Sequence, residues 1–363
     1  MTVIKLFTYC FFSGGVYFLS SYLYREKKRF SLFHLLLISF IFSLISIYLG
    51  ADTGLDRIRY EGHYISERDM SYDSSGLAFF FLLCQQYNLS VDRMFQVFSG
   101  FYLMTILLAY NTCKDATPIS LLMLMMSMYL VYGFSIIKQG FSQSFITLGW
   151  VIILSGNNKN KVLRFFSYIL LVVLLFFSIL FHEAAYVILA IFVCLLFWDI
   201  KMVRLLGYIS ILIVVAGFGY FRSLYVDVIG DYSEFLEEQS VGYFSGDTVV
   251  SNILAAGKGI PFYFTAGYGI ANRKKLAKEI NNYDKYLFLT ILCSIFFILS
   301  TIVVWYSRFA FYLFFPVFVF MSTMRHKSFL IGLRFRWMDV AMLISVILHI
   351  RIIIVYFHRF GGF

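Results

Sequence analysis

Apolar residues in this chain neither alternate with polar ones nor keep to one helical stripe. They come in long unbroken runs, separated by short polar loops. Toward the N-terminus the runs cover residues 3–24, 30–50, 74–87, 94–110, 118–137 and 140–155, and the pattern continues through 165–181 and 184–198 to the C-terminal end. A helix of about 20 apolar residues crosses the roughly 30 Å hydrocarbon core with every backbone polar group satisfied internally. The pattern therefore predicts an all-α, polytopic integral membrane protein: a single membrane domain over 1–363 with about 12 transmembrane helices.

Composition sharpens this. Of 363 residues, 61% are hydrophobic, 21% aromatic and 14% charged, where soluble domains carry about a quarter charged residues. With a mean hydropathy of +0.81 and three prolines, soluble, disordered, collagen-like and β-barrel readings fall. The net charge of +10 would point to nucleic acid in a soluble protein. Here Lys and Arg collect in short loops, where they orient the chain, so no nucleic-acid partner is expected. Cys10, Cys84, Cys113, Cys194 and Cys293 are scattered singly, without metal or redox spacing. No metal and no cofactor is expected.

The loops also assign sides. The first run ends in Arg25-Glu26-Lys27-Lys28-Arg29 with no small-residue cleavage site after it, so it reads as a retained helix. The positive-inside rule places loops at about 25–29, 156–164, 199–204, 272–285 and 325–336 in the cytoplasm. Between residues 29 and 159 an even number of crossings must then occur, yet five apolar stretches lie there. The stretch Ser74 to Tyr87 is the weakest, since 14 residues of helix rise about 21 Å, and it is set aside as re-entrant or interfacial. With that choice both termini lie outside, and the two larger external segments are 51–92 and 222–255.

Several charges then fall at one face. Lys138, His182, Glu183 and Arg308 emerge externally, joined by Arg57, Arg59 and Arg68 from the first external segment. A lone Lys or Arg at a helix end often only snorkels to the headgroups. A set of cations on the face that should be poor in them is what a lipid-linked pyrophosphate requires. The external segments add carboxylates and tyrosines, among them Asp52 and Tyr60 in the first and Asp231 and Tyr232 in the second. These are groups a sugar-binding groove offers, although residues 233–240 by themselves read as a solvated helix face.

Three pieces of the sequence together resemble the EpsG-type membrane proteins, relatives of the Wzy-class polymerases of bacterial O-antigen and exopolysaccharide. They are Gly50-Ala-Asp52-Thr53 followed by Tyr60; Lys138-Gln139-Gly140 followed by Phe181-His182-Glu183-Ala184-Ala185; and Arg308-Phe-Ala-Phe-Tyr312 followed by Pro316. The chain departs from the family in carrying Lys138 where Arg is usual and Glu183 where Lys or Ser often follows the His. The resemblance implies a metal-independent glycosyltransferase of the bacterial inner membrane. It would transfer a growing glycan from undecaprenyl pyrophosphate to the non-reducing end of a new lipid-linked repeat at the periplasmic face. It further implies that Lys138, Arg308, Arg57, Arg59 and Arg68 bind pyrophosphate and that Glu183 or His182, with Asp52 third, is the base. Gln139, Tyr60, Tyr312, Asp231 and Tyr232 would then face the glycan. Its partners would be lipid-linked donor and acceptor glycans, membrane lipid and a chain-length-regulating membrane protein. The rival readings are a lipid-linked oligosaccharide flippase, whose charges should line a midplane cavity, and a sugar O-acyltransferase using His182.

Overall fold

The structure, a computed structural model, describes residues 2–50, 55–66, 74–154, 161–197, 199, 201–213, 257–300, 306–330 and 336–360. Among these, 88% are helical and none lies in a strand. In chain order the helices are α1 (Thr2–Arg25), α2 (Leu32–Gly50), α3 (Leu55–Ser66), α4 (Ser75–Gln86), α5 (Val91–Thr112), α6 (Pro118–Met125), α7 (Met128–Ser135), α8 (Ile137–Leu154), α9 (Lys161–Phe181) and α10 (Ala185–Phe197). They continue with α11 (201–213), α12 (Ile260–Leu276), α13 (Tyr283–Leu299), α14 (Tyr306–Tyr312), α15 (Phe314–Leu330) and α16 (Arg336–Phe360). Among the described residues α1, α2, α5 and α9 are each long and apolar enough to cross a membrane, and α14 with α15 makes a fifth if the bent pair is one span. This is the make-up of an all-α membrane protein. The exposed side chains of α1, α2 and α9 fit it, since Phe7, Phe11, Phe33, Phe40, Phe165 and Phe176 all point outward, a surface suited to hydrocarbon rather than water.

The chain divides into two compact units, residues 1–190 with 346–363, and residues 191–345. In the first, α5 is the central helix. It runs antiparallel to α2, with Phe30 bound to Asn111 at one end and Gly100 against Ser43 in the middle. It runs parallel to α8, because Phe98 and Phe101 both meet Phe141, and Phe101 also meets Phe145. Helix α9 returns antiparallel to α8 through the Ser142–Ser178 hydroxyl pair at 2.7 Å and the stacked Phe141 and Phe181 rings.

The stretch 118–137, expected as one span, is two helices. Helix α6 starts on a Thr117/Ser120 capping box with Pro118 in its first turn, an arrangement that satisfies the first orphan N–H groups. It stops at Met126, where no proline stands. The Ser127 hydroxyl donates back to Leu124 O at 2.8 Å, and hydroxyls from neighbouring helices take the carbonyls the break releases. Tyr9 of α1 bonds Met125 O and Ser127 O, Ser13 reaches Met125 O, and Tyr102 of α5 bonds Tyr129 O. Broken backbone in an apolar bundle persists only where such partners exist. A second break follows at Ile136, and α8 begins at Ile137 rather than at residue 140.

Helix α4 has 12 residues, a rise of about 18 Å. It starts against the carbonyl of Leu180, so closely that a Cβ on Gly76 would lie 2.9 Å from it. It ends beside α3, where Gln85 donates to Tyr64 O at 3.0 Å and Tyr64 donates to Leu89 O at 2.6 Å. Leu180 closes α9 and Leu89 precedes α5, so both ends of α4 lie at the same end of this unit.

In the second unit α13 is central. Phe262 of α12 stacks on Phe297 with ring centroids 5.1 Å apart, and Tyr286 stacks on Phe320 of α15 at 5.5 Å. Arg273 forks onto both oxygens of Asp284 at 2.8 and 3.0 Å, and this bonding raises its pKa. Helices α14 and α15 meet at 58°. Pro316 accounts for the bend, since it lacks the N–H that would bond four residues back and its ring crowds that carbonyl.

Candidate functional site

The first unit gathers its unusual polar groups at one end. The α2 C-terminus, α3, α4, the start of α5, the start of α8 and the end of α9 all meet there, with the antiparallel and parallel packing just described.

Arg57 sits deepest. It is 3% exposed, and α3 carries it over the face of Phe95, 4.1 Å from the ring centroid. Its Nε donates to Glu61 at 2.9 Å, one helical turn on, and its NH2 lies 3.6 Å from Asp92 in the first turn of α5. NH1 is buried without a hydrogen-bond partner. It points at Gly50, where an added Cβ would lie 2.2 Å from NH1 and 2.8 Å from Phe134 O. Only a residue without a side chain lets the end of α2, the guanidinium and the end of α7 meet at one point. Lys138 and Gln139 follow four and five residues along the chain from that carbonyl, in the first turn of α8.

Gln139 is wholly buried and neither amide atom has a partner. Lys138 is half-buried. On the neighbouring helix end, His182 and Glu183 occupy the turn between α9 and α10. The Nδ1 of His182 accepts the backbone N–H of Ala184 at 3.1 Å. That bond places the proton of the neutral ring on Nε2, so His182 offers a donor there rather than a base. Glu183 is exposed and has no ion-pair partner among the described residues. Of the two candidate bases in this turn, the imidazole nitrogen that accepts is engaged by the backbone, while the carboxylate is exposed.

Other expected site residues differ in place. Arg59 is exposed and reaches His63 at 3.3 Å on its own helix. Tyr60 is buried, with its ring edge-on to Phe81. Arg308 and Tyr312 belong to the second unit, on α14, where Arg308 is half-buried and Tyr312 fully buried. Asp52, Arg68, Asp231 and Tyr232 lie outside the described residues, as does the segment 222–255, expected to be external. No group of three metal-binding side chains occurs among the described residues.

Sequence reasoning passed over Lys5. It is 1% exposed on α1, with its ammonium 5.8 Å from the Tyr48 ring near the end of α2, which adds a buried cation to the Arg57 end. A lone Lys inside the first apolar run was its signal. Ser99 and Gln143, both fully buried with unpaired atoms, gave none beyond being polar residues in apolar runs.

No family model, no curated protein and no solved structure matches the chain.

Proposed function

We propose that the chain polymerises undecaprenyl-pyrophosphate-linked oligosaccharides at the external face of a bacterial inner membrane, through about 12 crossings with both termini outside. The observation that carries this reading is the convergence, at one end of the first unit, of Arg57 with an unengaged NH1, Lys138 and Gln139 at a helix start, and an exposed carboxylate at Glu183. A buried and a half-buried cation at the same end as an exposed carboxylate suit a displacement in which an anion leaves and a hydroxyl attacks.

In that reaction the acceptor hydroxyl oxygen forms a bond to the anomeric carbon while the bond from that carbon to the pyrophosphate oxygen breaks. Glu183 takes the hydroxyl proton, as general base. The pyrophosphate leaves with the electron pair, and Lys138 with the NH1 of Arg57 meets the charge it gains. Arg57 already spends Nε and NH2 on Glu61 and Asp92, so Lys138 carries the larger share.

The test is the surface-glycan profile of a deletion strain. Collapse of the ladder to a single repeat is expected. Loss of every repeat would replace the polymerase with a flippase, and full-length chains lacking an acyl group would replace it with an acyltransferase.

A further inference from the structure

Beneath Arg57, the contact between α5 and α8 holds polar atoms that the protein does not satisfy. Ser99, Gln139 and Gln143 are each 0% exposed, yet Ser99 Oγ, both amide atoms of Gln139 and Nε2 of Gln143 have no partner, and neither has NH1 of Arg57. A buried donor or acceptor left dry forfeits the hydrogen bonds it makes with water in the unfolded chain. Buried polar groups in native proteins are almost always paired, to protein or to an ordered hydroxyl such as water.

These atoms share a neighbourhood. Helices α5 and α8 run in parallel, and Tyr102 and Gln143 fix their register, with the phenol 3.0 Å from Oε1 of the amide. One turn back on each helix stand Ser99 and Gln139, and a further turn back on α5 stands Phe95, on whose ring Arg57 rests. The phenol of Tyr102 has one proton and also bonds Tyr129 O. Whichever way the Gln143 amide turns, one of its groups stays unpaired.

We propose that this seam is a binding site for uncharged hydroxyl groups, with Ser99, Gln139 and Gln143 as its lining and Arg57 at its mouth. The chemistry follows from what is missing. Gln139 offers a donor and an acceptor together, as does the Ser99 hydroxyl. A hydroxyl answers both, whereas a phosphate only accepts and a hydrocarbon does neither. The guanidinium at its mouth already faces Glu61 and Asp92, and the unpaired atoms of Ser99, Gln139 and Gln143 are all uncharged, so the seam itself makes no demand for an anion. Water and a sugar carry the same hydroxyl chemistry. Water fills the site whatever the chain's activity, while a sugar as occupant rests on the polymerase reading.

Radiolytic hydroxyl-radical labelling of the full chain in lipid nanodiscs tests this, because radicals born from a bound hydroxyl modify the ring beside it. Tyr102, fully buried, is expected to be labelled severalfold above Trp150 and Phe42, which are equally buried, and Gln139→Met with Gln143→Met should remove the excess. Adding glucose or N-acetylglucosamine separates the sources. Protection of Tyr102 by either makes the occupant a sugar hydroxyl, and unchanged labelling makes it water. Tyr102 labelled no more than Trp150, with and without sugar, overturns the site. That result leaves the deletion-strain glycan profile untouched, so the two readings fail separately.

Discussion

Two arginines in the same unit show how one side chain type serves two ends. Arg29 lies between α1 and α2 and closes on backbone: NH1 on Ala116 O at 3.1 Å, NH2 on Cys113 O and Lys114 O at 3.4 Å, with the Tyr110 and Tyr24 rings on its flanks. It ties the loop after α1 to the loop after α5 and leaves neither terminal nitrogen idle. Arg57, at the other end, is more deeply buried, is held by carboxylates instead of carbonyls, and keeps NH1 unengaged. A guanidinium whose terminal nitrogens are committed to backbone is a clamp. One held in place by two acids with a donor left over is positioned for something else.

The largest effect expected from this contrast is at Arg57. In Arg57→Ala, Glu61 and Asp92 lose their partner; both reach water in part, so the loss should sit at the lower end for a broken buried pair, about 3 kcal/mol. Arg57→Lys keeps the charge but loses the fork and the flat contact on Phe95, and should shorten the glycan at normal membrane abundance. Arg29→Ala should cost about 1–3 kcal/mol through its orphaned carbonyls while the protein that does fold makes full-length polymer. Melting in nanodiscs and glycan length measure the two parts. Equal shortening by Arg29→Ala and Arg57→Lys at matched abundance would erase the distinction.

Gly50 sharpens the same contrast. Its missing Cβ would lie 2.2 Å from Arg57 NH1, so Gly50→Ala forces the guanidinium aside and should cost about 1–3 kcal/mol as an overpacked position. Gly100, in the middle of α5, has its nearest neighbour, the Ser43 Cβ, at 3.4 Å. Gly100→Ala should be neutral or stabilise by about 0.5–1 kcal/mol through helix propensity. Similar melting shifts for both would mean that Arg57 yields without loss.

How much of this could be read in the sequence depends on range. Long apolar runs gave the helices, because helix formation in hydrocarbon is decided within about 20 residues. The length of the run at Ser74 also set α4 apart. The break at Met126 was illegible, since it carries no proline or glycine and depends on Tyr9 and Tyr102, hydroxyls from two other helices. For the site, the sequence marked Lys138, His182, Glu183 and Arg57 as out of place, because charge near lipid is conspicuous. It was silent on Ser99 and Gln143, which become notable only through burial without partners. Nor could it show that Tyr60 is buried edge-on against Phe81, a contact made by a helix that lies elsewhere in the sequence.

A comparable effect is expected at Tyr102, which links α7 to α8 across the second break. Tyr102→Phe keeps the ring and removes the hydroxyl, leaving Tyr129 O and Gln143 each short of a partner, a cost of about 1–3 kcal/mol. Tyr9→Phe should cost a similar amount, since its hydroxyl serves Met125 O and Ser127 O. If either variant melts like the wild type, the released carbonyls have another source of hydrogen bonds and the hydroxyls do not hold the break.

The smallest effect is expected in the turn after α9, where committed and uncommitted groups again stand side by side. The Nδ1 of His182 is bound to the Ala184 N–H, as Arg29 is bound to carbonyls, whereas the Glu183 carboxylate is exposed and, like the buried NH1 of Arg57, uncommitted among the described residues. Asparagine places an oxygen near the position of Nδ1 and caps backbone N–H groups well. His182→Asn should therefore keep the turn, melt within about 0.5 kcal/mol of the wild type and leave glycan length nearly unchanged. Glu183→Gln preserves shape and removes the base, so at the same melting temperature it should shorten the glycan. The pair separates a positioning role from a chemical one without disturbing the fold. Loss of polymer in His182→Asn together with full-length polymer in Glu183→Gln would move the base to the imidazole and require its ring to leave the Ala184 N–H during the reaction.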